Sequence, residues 1–296
     1  MSFVSFYIRH TWGKGDRKRD AGLTTPEDIK RFDDISYGAN TKYQVLDVYR
    51  PKNAKGILPV IVNFHGGAWI YGDKELYQFY CMNLAQHGFA VVNASYRLAP
   101  EYKFPTAMED MNEVLTWTLE NAQMYGFDTN NMFAVGDSAG AHLLSLYCSA
   151  MGNPSYADNY KMKIPEKLEF RAICLNCGVY SLDGISLDDK QNRTLLKQFL
   201  PKKGSQEELE MITPLRHMTK HFPPSYVMTA PGDFLKDQAP LMDKKLEEHG
   251  IEHIYKIYGT EENPLTHVFH CNMYLEEGKS CNDEECAFLH AHEMKN

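Results

Sequence analysis

The stretch Val135-Gly136-Asp137-Ser138-Ala139-Gly140 decides the fold of this 296-residue chain. It follows the apolar run 132–135 and precedes the helix-compatible stretch 141–150. A G-x-S-x-G pattern between a buried strand and a helix predicts a sharp turn that exposes the hydroxyl group of Ser138 above the edge of a sheet. The N-terminus of the following helix would stabilise negative charge that develops beside that hydroxyl group.

A G-x-S-x-G match alone is equally compatible with an ordinary structural turn, because its residues are common. A second motif, His65-Gly66-Gly67-Ala68-Trp69, stands directly after the buried strand predicted over 60–64. Glycines after a strand supply unhindered backbone N–H groups. We expect the N–H groups of Gly66, Gly67 and Ala139 to form an oxyanion hole, which would stabilise the intermediate of an acyl transfer.

The two motifs, in this order, resemble those of the α/β-hydrolase fold and, within it, those of the hormone-sensitive-lipase-like esterases. A third segment, Ser95-Tyr96-Arg97-Leu98-Ala99-Pro100-Glu101 with Phe104-Pro105 and Asp110 behind it, is similar to the segment that this family carries between the other two. The resemblance extends from about Asp47 to the C-terminus. It implies a mostly parallel central sheet, helices on both faces and a small cap or lid insertion.

The order of apolar runs favours the same fold class, α/β. Strand-like and helix-like segments alternate, as in a parallel sheet covered on both faces, and the strands expected after the elbow are 171–176, 225–230 and 253–258. No break in composition divides the chain, so we predict a single domain over residues 1–296. Residues 180–224 interrupt the alternation for longest and are predicted to form a cap or lid insertion.

The first part of the chain carries less information. Residues 1–40 are polar and are a candidate contributor to the cap. Within them, Thr25-Pro26-Glu27-Asp28 has the pattern of a helix start. Residues 43–49 alternate between apolar and polar, as a half-buried strand does. We therefore expect antiparallel opening strands before the parallel part of the sheet.

A serine hydroxyl group is a weak nucleophile near neutral pH, so it needs a general base and a group that orients the base. In the hydrolase order the acid follows the strand 225–230. Asp233 resembles the acid of the family, since x-Leu-x-Asp follows it, and Asp237 is the rival. His267 resembles the base of the family because of its His-x-Phe context. His270, expected on the first turn of the final helix, is the rival base.

Four further residues near these motifs have a functional and a structural interpretation. Trp69 and Tyr71 are predicted to line the substrate pocket, with packing in the core as the alternative. The resemblance implies that the side chain of His65 fixes the oxyanion loop and is not a proton shuttle. Asp137, beside the candidate nucleophile, is interpreted as an orienting residue rather than as an acid.

The charge balance argues against several classes of partner. The chain has 31 basic and 39 acidic residues and a formal net charge of -8 at pH 7, so we expect neither nucleic acid nor an anionic membrane surface as a partner. No stretch approaches the roughly 20 consecutive apolar residues of a spanning helix. Residues 1–19 lack the pattern of a signal peptide. These features predict a soluble, cytoplasmic protein.

Seven cysteines, an odd number, fit reduced thiols better than a disulfide framework. Three are predicted to be core packing residues: Cys148, Cys174 and Cys177. Cys271, Cys281, Cys286 and His290 have spacings that resemble a Cys3His zinc finger. The same segment, 271–292, is also typical of the amphipathic helix that closes an α/β-hydrolase. We expect the helix, with no metal and no cofactor.

The motifs together predict a serine carboxylic-ester hydrolase that works through an acyl-enzyme, and the resemblance implies short- to medium-chain acyl esters as substrates. The resemblance implies small-molecule substrates, among them acetylated sugars and plant-derived esters. An arylformamidase-like amidase is an alternative, because the His-Gly-Gly-x-Trp pattern also occurs in that class. A non-catalytic small-molecule-binding protein on a hydrolase scaffold is another, although the complete set of triad residues argues against it. A homodimer is one assembly compatible with the sequence.

Overall fold

A sheet of eight strands forms the centre of the described part of the protein. The computed structural model describes residues 3–183 and 188–295. Its strands in chain order are β1 (Ile29–Ser36), β2 (Val45–Pro51), β3 (Leu58–Phe64), β4 (Ala90–Ala94), β5 (Phe127–Asp137), β6 (Phe170–Asn176), β7 (Ser225–Thr229) and β8 (His253–Ile257).

The strands lie in the order β1-β2-β4-β3-β5-β6-β7-β8. β2 is antiparallel to both of its neighbours, β1 and β4, whereas every pairing from β4 onward is parallel. The carboxyl ends of β3 to β8 therefore lie at one edge of the sheet, where loops from distant parts of the chain can meet. The predicted mostly parallel sheet with antiparallel opening strands is confirmed.

Helices cover both faces of the sheet. In chain order they are α1 (Phe3–Arg19), α2 (Gln78–Gln86), α3 (Thr106–Glu120), α4 (Ala122–Tyr125), α5 (Ala139–Gly152), α6 (Pro154–Ala157), α7 (Lys190–Phe199), α8 (Gln206–Met211), α9 (Ala239–Glu248) and α10 (Glu276–Ala291). Leu84 of α2 and Leu289 of α10 belong to the core on one face. Leu146 of α5 and Met242 of α9 belong to the core on the other. The α/β fold class is confirmed.

Local sequence signals determine where the helices of the predicted insertion begin. The hydroxyl oxygen of Ser205 accepts from the N–H of Glu208, and the Glu208 carboxylate accepts from the N–H of Ser205, both at 3.3 Å. This reciprocal pair caps α8. Oδ1 of Asp189 accepts from the N–H of Asn192 at 2.7 Å and caps α7. Residues 184–187 of the predicted insertion lie outside the described residues.

The N-terminal part differs from the prediction. Thr25-Pro26-Glu27-Asp28 does not start a helix but forms a turn that leads into β1. The N–H of Ile29 donates to the carbonyl oxygen of Pro26 at 3.1 Å, and Ile29 then pairs with Pro51 of β2. The pairing between strands overrides the local helix signal. The helix of this region, α1, lies earlier in the chain than the predicted start.

The C-terminal segment is a helix, as predicted. The predicted range 271–292 corresponds to α10, which begins only at Glu276, and Cys281 and Cys286 on α10 are buried. The helix interpretation is thus confirmed over the zinc-finger alternative. Among the helices of residues 3–183 and 188–295, we find none with the length and apolar character that a membrane crossing requires.

One carboxyl group lies in the core between α10 and the sheet. Glu285 is fully buried, and its Oε2 accepts a hydrogen bond from the hydroxyl group of Tyr80 at 2.9 Å. Burial raises the pKa of Glu285 to about 8. At neutral pH this side chain is therefore mainly protonated in the folded protein, whereas it ionises in the unfolded chain.

We expect Glu285 to make stability fall as the pH rises from 4.5 to about 8. In that window the unfolded chain has lost the proton that the folded protein keeps, which lowers the free energy of unfolding by up to about 1.4 kcal/mol per pH unit. Glu285→Gln removes this contribution. Denaturant unfolding at a series of pH values should therefore show a variant that gains stability over the wild type with rising pH.

Glu284→Gln is the matched control. Burial opposes the ionisation of Glu284, but hydrogen bonds from Lys256 and Tyr258 hold its pKa below the ordinary value. The contribution of Glu284 to the free energy of unfolding is therefore constant at pH values above its ordinary pKa and is lost only at lower pH. If the free energy of unfolding changes with pH equally in the wild type and in Glu285→Gln between pH 4.5 and 8, Glu285 is not a buried, protonated carboxyl group.

Candidate active site

The turn after β5 holds Ser138 at the edge of the sheet. β5 ends at Asp137 and α5 begins at Ala139, so Ser138 alone makes the turn, with φ 51° and ψ -117°. A Cβ atom at Gly140 would lie 2.0 Å from the carbonyl oxygen of Phe64 on β3. Only glycine permits this close approach, and the unusual backbone of Ser138 presents its hydroxyl group to the space above the sheet.

Ser138, His267 and Asp233 form one hydrogen-bonded chain. Nε2 of His267 lies 3.0 Å from Oγ of Ser138, and Nδ1 of His267 lies 2.7 Å from Oδ1 of Asp233. The carboxylate also accepts from the hydroxyl group of Thr229 at 2.9 Å and from the N–H of Leu235 at 2.8 Å. Because a carboxylate only accepts, His267 carries its proton on Nδ1, which leaves Nε2 to accept from Ser138.

Backbone pairing between two loops brings the acid and the histidine together. The N–H of Gly232, in the loop after β7, donates to the carbonyl oxygen of Leu265, in the loop after β8, at 3.0 Å. Burial opposes the ionisation of Asp233, but its hydrogen bond with His267 and the nearby N–H of Leu235 hold the pKa of this carboxyl group below its ordinary value. Asp233 is thus a carboxylate at neutral pH.

Neither rival residue takes part in this chain. Asp237 is exposed, in the turn that precedes α9. His270 was expected on the first turn of the final helix, which is wrong: it lies in a separate turn, Phe269–Cys271, before α10. Its ring is fully buried with an edge-on contact to Tyr80 at 5.0 Å, and burial lowers its pKa to about 3. His270 is therefore a neutral core residue.

The loop after β3 differs from the prediction at Gly66. The N–H of Gly66 donates to Oδ1 of Asp137 and to the hydroxyl oxygen of Tyr77, both at 3.0 Å. The buried Asp137 carboxylate thus accepts from the Gly66 N–H group that we expected in the oxyanion hole. Within the described part of the chain, the N–H groups of Gly67, Ala68 and Ala139 are among the nearby ones that donate to no protein acceptor.

Two buried side chains support this loop. Nδ1 of His65 lies 2.7 Å from the carbonyl oxygen of Gly66, the ring stacks on Tyr96 with centroids 4.1 Å apart, and burial lowers the pKa of His65 to about 4. Burial raises the pKa of Asp137 to about 6, against hydrogen bonds from Tyr77 and Gly66. These contacts agree with the interpretation of His65 and Asp137 as orienting residues.

A cavity of about 980 Å³ opens above Ser138 and His267. Trp69 and Tyr71, predicted to line a substrate pocket, both lie in its wall. Two helices outside the sheet complete the wall, α1 with Trp12, Asp16 and Arg19, and α7 with Asn192, Leu195 and Leu196. The volume and the many aromatic side chains are typical of a small-molecule site.

Sequence reasoning missed two hydrogen bonds that support residues of this wall. The hydroxyl group of Tyr71 donates to Asp16 of α1 at 2.6 Å. Nδ1 of His142, which is buried on α5 one turn after Ser138, accepts from the indole N–H of Trp69 at 3.2 Å. For His142 a signal existed, because residues four apart share one face of a helix. No local pattern predicts that α1 lies beside Tyr71, because Asp16 and Tyr71 are 55 positions apart in the chain.

One group of described residues brings enough ligand atoms together to hold a metal ion. Cys177, Asp233 and His267 each offer one atom, and these atoms lie within 4.8 Å of one another. Two of the three are members of the hydrogen-bonded chain. The residues of the zinc-finger alternative form no such group within residues 3–183 and 188–295.

Loops after β5, β7 and β8 thus deliver a serine, an aspartate and a histidine in that chain order, which is the order of the α/β-hydrolases. The protein is a member of this fold class. The family model described as BD-FAE matches residues 46–245, more than half of the chain. The chain therefore belongs to the BD-FAE family.

Curated relatives match about two thirds of the chain. The chain is 29% identical over 221 residues to the versiconal hemiacetal acetate esterase of Dothistroma septosporum. It is 25% identical over 208 residues to the ethyl acetate hydrolase of Pseudomonas putida. Each match covers 69% of this chain and 65% of the relative. The chain thus spans less than two thirds of the length of these relatives.

Solved structures share the fold over almost the whole chain. Inhibited esterase B from Lactobacillus rhamnosis has a TM-score of 0.86 at 24% identity, with 97% of this chain and 96% of that chain covered. The thermostable carboxylesterase EstE1, cloned from a metagenomic library, has a TM-score of 0.77 at 23% identity, with 100% of both chains covered. At these identities the likeness establishes the fold.

The elbow yields a test of stability. Gly140→Ala is expected to destabilise the protein by about 1–3 kcal/mol, because the new Cβ atom would push α5 away from the carbonyl oxygen of Phe64. Gly15→Ala is the matched control, since a Cβ atom at that position of α1 meets nothing within 4 Å and alanine favours a helix. Denaturant unfolding measures both. A Gly140→Ala variant as stable as the wild type would contradict the close approach.

Proposed function

We propose that this protein is a serine carboxylic-ester hydrolase that works through an acyl-enzyme. The observation that carries the proposal is the hydrogen-bonded chain from the Ser138 hydroxyl group through His267 to Asp233, at the floor of the cavity. In this arrangement His267 can remove the Ser138 proton as the oxygen attacks a carbonyl carbon. Asp233 keeps the ring in the required tautomer and stabilises its cation.

Backbone N–H groups stabilise the tetrahedral intermediate. The candidate donors are the N–H groups of Gly67 and Ala139, with that of Ala68 beside them, and none of the three donates to a protein acceptor in the described residues. The intermediate breaks down as protonated His267 gives its proton to the leaving alcohol. His267 then removes a proton from water, which attacks the acyl-enzyme and releases the acid and Ser138. These steps require no cofactor.

The comparisons support a short- to medium-chain acyl ester as the substrate. Two relatives are named after acetate esters, the versiconal hemiacetal acetate esterase and the ethyl acetate hydrolase. The cavity of about 980 Å³ has room for an alcohol much larger than ethanol. Acetylated sugars and plant-derived esters are candidate substrates of this kind.

We also propose one α/β-hydrolase domain over residues 1–296, with residues 180–224 as its cap and residues 1–40 contributing to it. The position of α7 and α1 in the cavity wall supports this organisation. All seven cysteines are free thiols, which supports a reducing location such as the cytoplasm.

The nucleophile is tested by hydrolysis of p-nitrophenyl acetate, butyrate and octanoate. Ser138→Ala should lower kcat by a factor on the order of 10⁴ or more, and Asp233→Asn by a factor on the order of 10³–10⁴, both without loss of folding. Activity should be insensitive to chelator. Ser145→Ala is the matched control, because the hydroxyl group of this buried serine of α5 donates to the carbonyl oxygen of Ala141, away from the hydrogen-bonded chain of Ser138.

Two outcomes would replace this proposal. Wild-type protein that cleaves N-formyl arylamines and no ester would be an amidase of the arylformamidase type. Well-folded wild-type protein that is inactive on both classes would be a binding protein on a hydrolase scaffold.

The cap is tested at Leu195, a half-buried residue of α7 in the cavity wall. Leu195→Phe narrows the cavity, so we expect kcat/KM for the octanoate ester to fall about 10-fold relative to the acetate ester. Leu241→Phe, at an exposed position of α9, should leave the chain-length profile unchanged. If both variants keep the wild-type profile, α7 does not limit the acyl group.

A further inference from the structure

His142 lies between three parts of the candidate site. It is fully buried on α5, four residues after Ser138. Its Nδ1 accepts from the indole N–H of Trp69 at 3.2 Å. Its Nε2 lies 2.7 Å from the carbonyl oxygen of Ile212, at the end of α8. One imidazole ring thus joins the nucleophile helix, the loop after β3 and the 180–224 segment.

The partners of His142 determine its tautomer. An indole N–H only donates and a carbonyl oxygen only accepts, so Nδ1 is the acceptor and Nε2 carries the proton. Burial also lowers the pKa of His142 to about 4. The ring is therefore neutral at neutral pH, and each nitrogen atom has a single, fixed partner.

The loop that contains Trp69 needs such support. Gly67, Ala68 and Trp69 all have positive φ, at 115°, 52° and 63°. This region is unfavourable for non-glycine residues, so surrounding contacts must hold them there. The carbonyl oxygen of Trp69 accepts from the N–H of Ala99 at 3.0 Å, and its indole ring stacks on Phe199 of α7 with centroids 4.5 Å apart.

We propose that His142 is a positioning residue, which holds the N–H groups of Gly67 and Ala68 in place through the side chain of Trp69. The inference rests on the proposed esterase function, because those N–H groups matter only if an oxyanion forms beside them. Through Ile212 and Phe199 the same contacts connect the oxyanion loop to the 180–224 segment. A change in that segment is thereby transmitted to the groups that stabilise the intermediate.

Loss of this positioning should weaken stabilisation of the transition state more than binding of the ester. The negative charge that the N–H groups stabilise develops only as Ser138 attacks. A displaced loop should therefore lower kcat, and weaken the binding of a boronic acid that forms a tetrahedral adduct with Ser138. It should change KM for a small ester much less.

A matched pair of variants separates the two hydrogen bonds. In His142→Asn the amide oxygen can replace Nδ1 and keep the Trp69 bond, whereas in His142→Gln the amide N–H can replace Nε2 and keep only the Ile212 bond. Trp69→Phe keeps an aromatic ring and removes the donor. We expect His142→Gln and Trp69→Phe each to lower kcat by about 10- to 100-fold, with His142→Asn close to wild type.

The double variant tests whether the two residues act as one unit. Combined His142→Gln and Trp69→Phe should be little worse than either alone, because both remove the same bond. Thermal unfolding shows whether each variant folds, and His142→Asn reports the rescue. Additive losses, or equal losses in His142→Asn and His142→Gln, would assign His142 a general packing role and overturn the proposal.

An activity-independent measurement keeps this test separate from the proposed function. The indole N–H resonance of Trp69, assigned by its absence in Trp69→Phe, should move in His142→Gln and stay in place in His142→Asn. An active wild type with unchanged kcat and boronic acid affinity in His142→Gln would overturn the role of His142 alone. An inactive wild type would overturn the esterase function itself, whatever the resonance shows.

Discussion

The close approach of α5 to the end of β3 is the constraint on which the site depends. A Cβ atom at Gly140 would lie 2.0 Å from the carbonyl oxygen of Phe64 and 2.6 Å from that of His65. β3 and β5 are parallel neighbours, so their carboxyl ends emerge side by side with no side chain between them. The Ser138 hydroxyl group and the unpartnered N–H groups therefore share one small volume above the sheet.

Buried polar groups hold this arrangement in place. Asp137 binds the N–H of Gly66 and the hydroxyl group of Tyr77, and His142 binds the indole of Trp69. Each of these groups would be costly to leave unpaired in the interior. The loop between them keeps its unusual backbone because several independent contacts act on it at once. A site built in this way is already arranged before substrate binds, which favours stabilisation of a transition state.

The sequence predicted the elements better than the contacts between them. It placed Asp233 and His267 as partners of Ser138, and the structure brings all three within hydrogen-bond distance, although their catalytic roles stay a prediction. The prediction was wrong at Thr25-Pro26-Glu27-Asp28, where strand pairing outweighs a local helix signal. It was also wrong at Gly66, because the N–H of Gly66 donates to Asp137. Both errors arose because a partner distant in sequence changed the meaning of a local pattern.

The sequence by itself determined the α/β class, the elbow and the chain order of serine, aspartate and histidine, because glycine spacing and apolar runs act over short distances along the chain. Only the tertiary structure decided which backbone N–H groups stay free and which helices line the cavity. The decisive contacts join residues far apart: Tyr71 with Asp16 across 55 positions and Trp69 with His142 across 73. Such contacts depend on how whole elements pack, which no local pattern specifies.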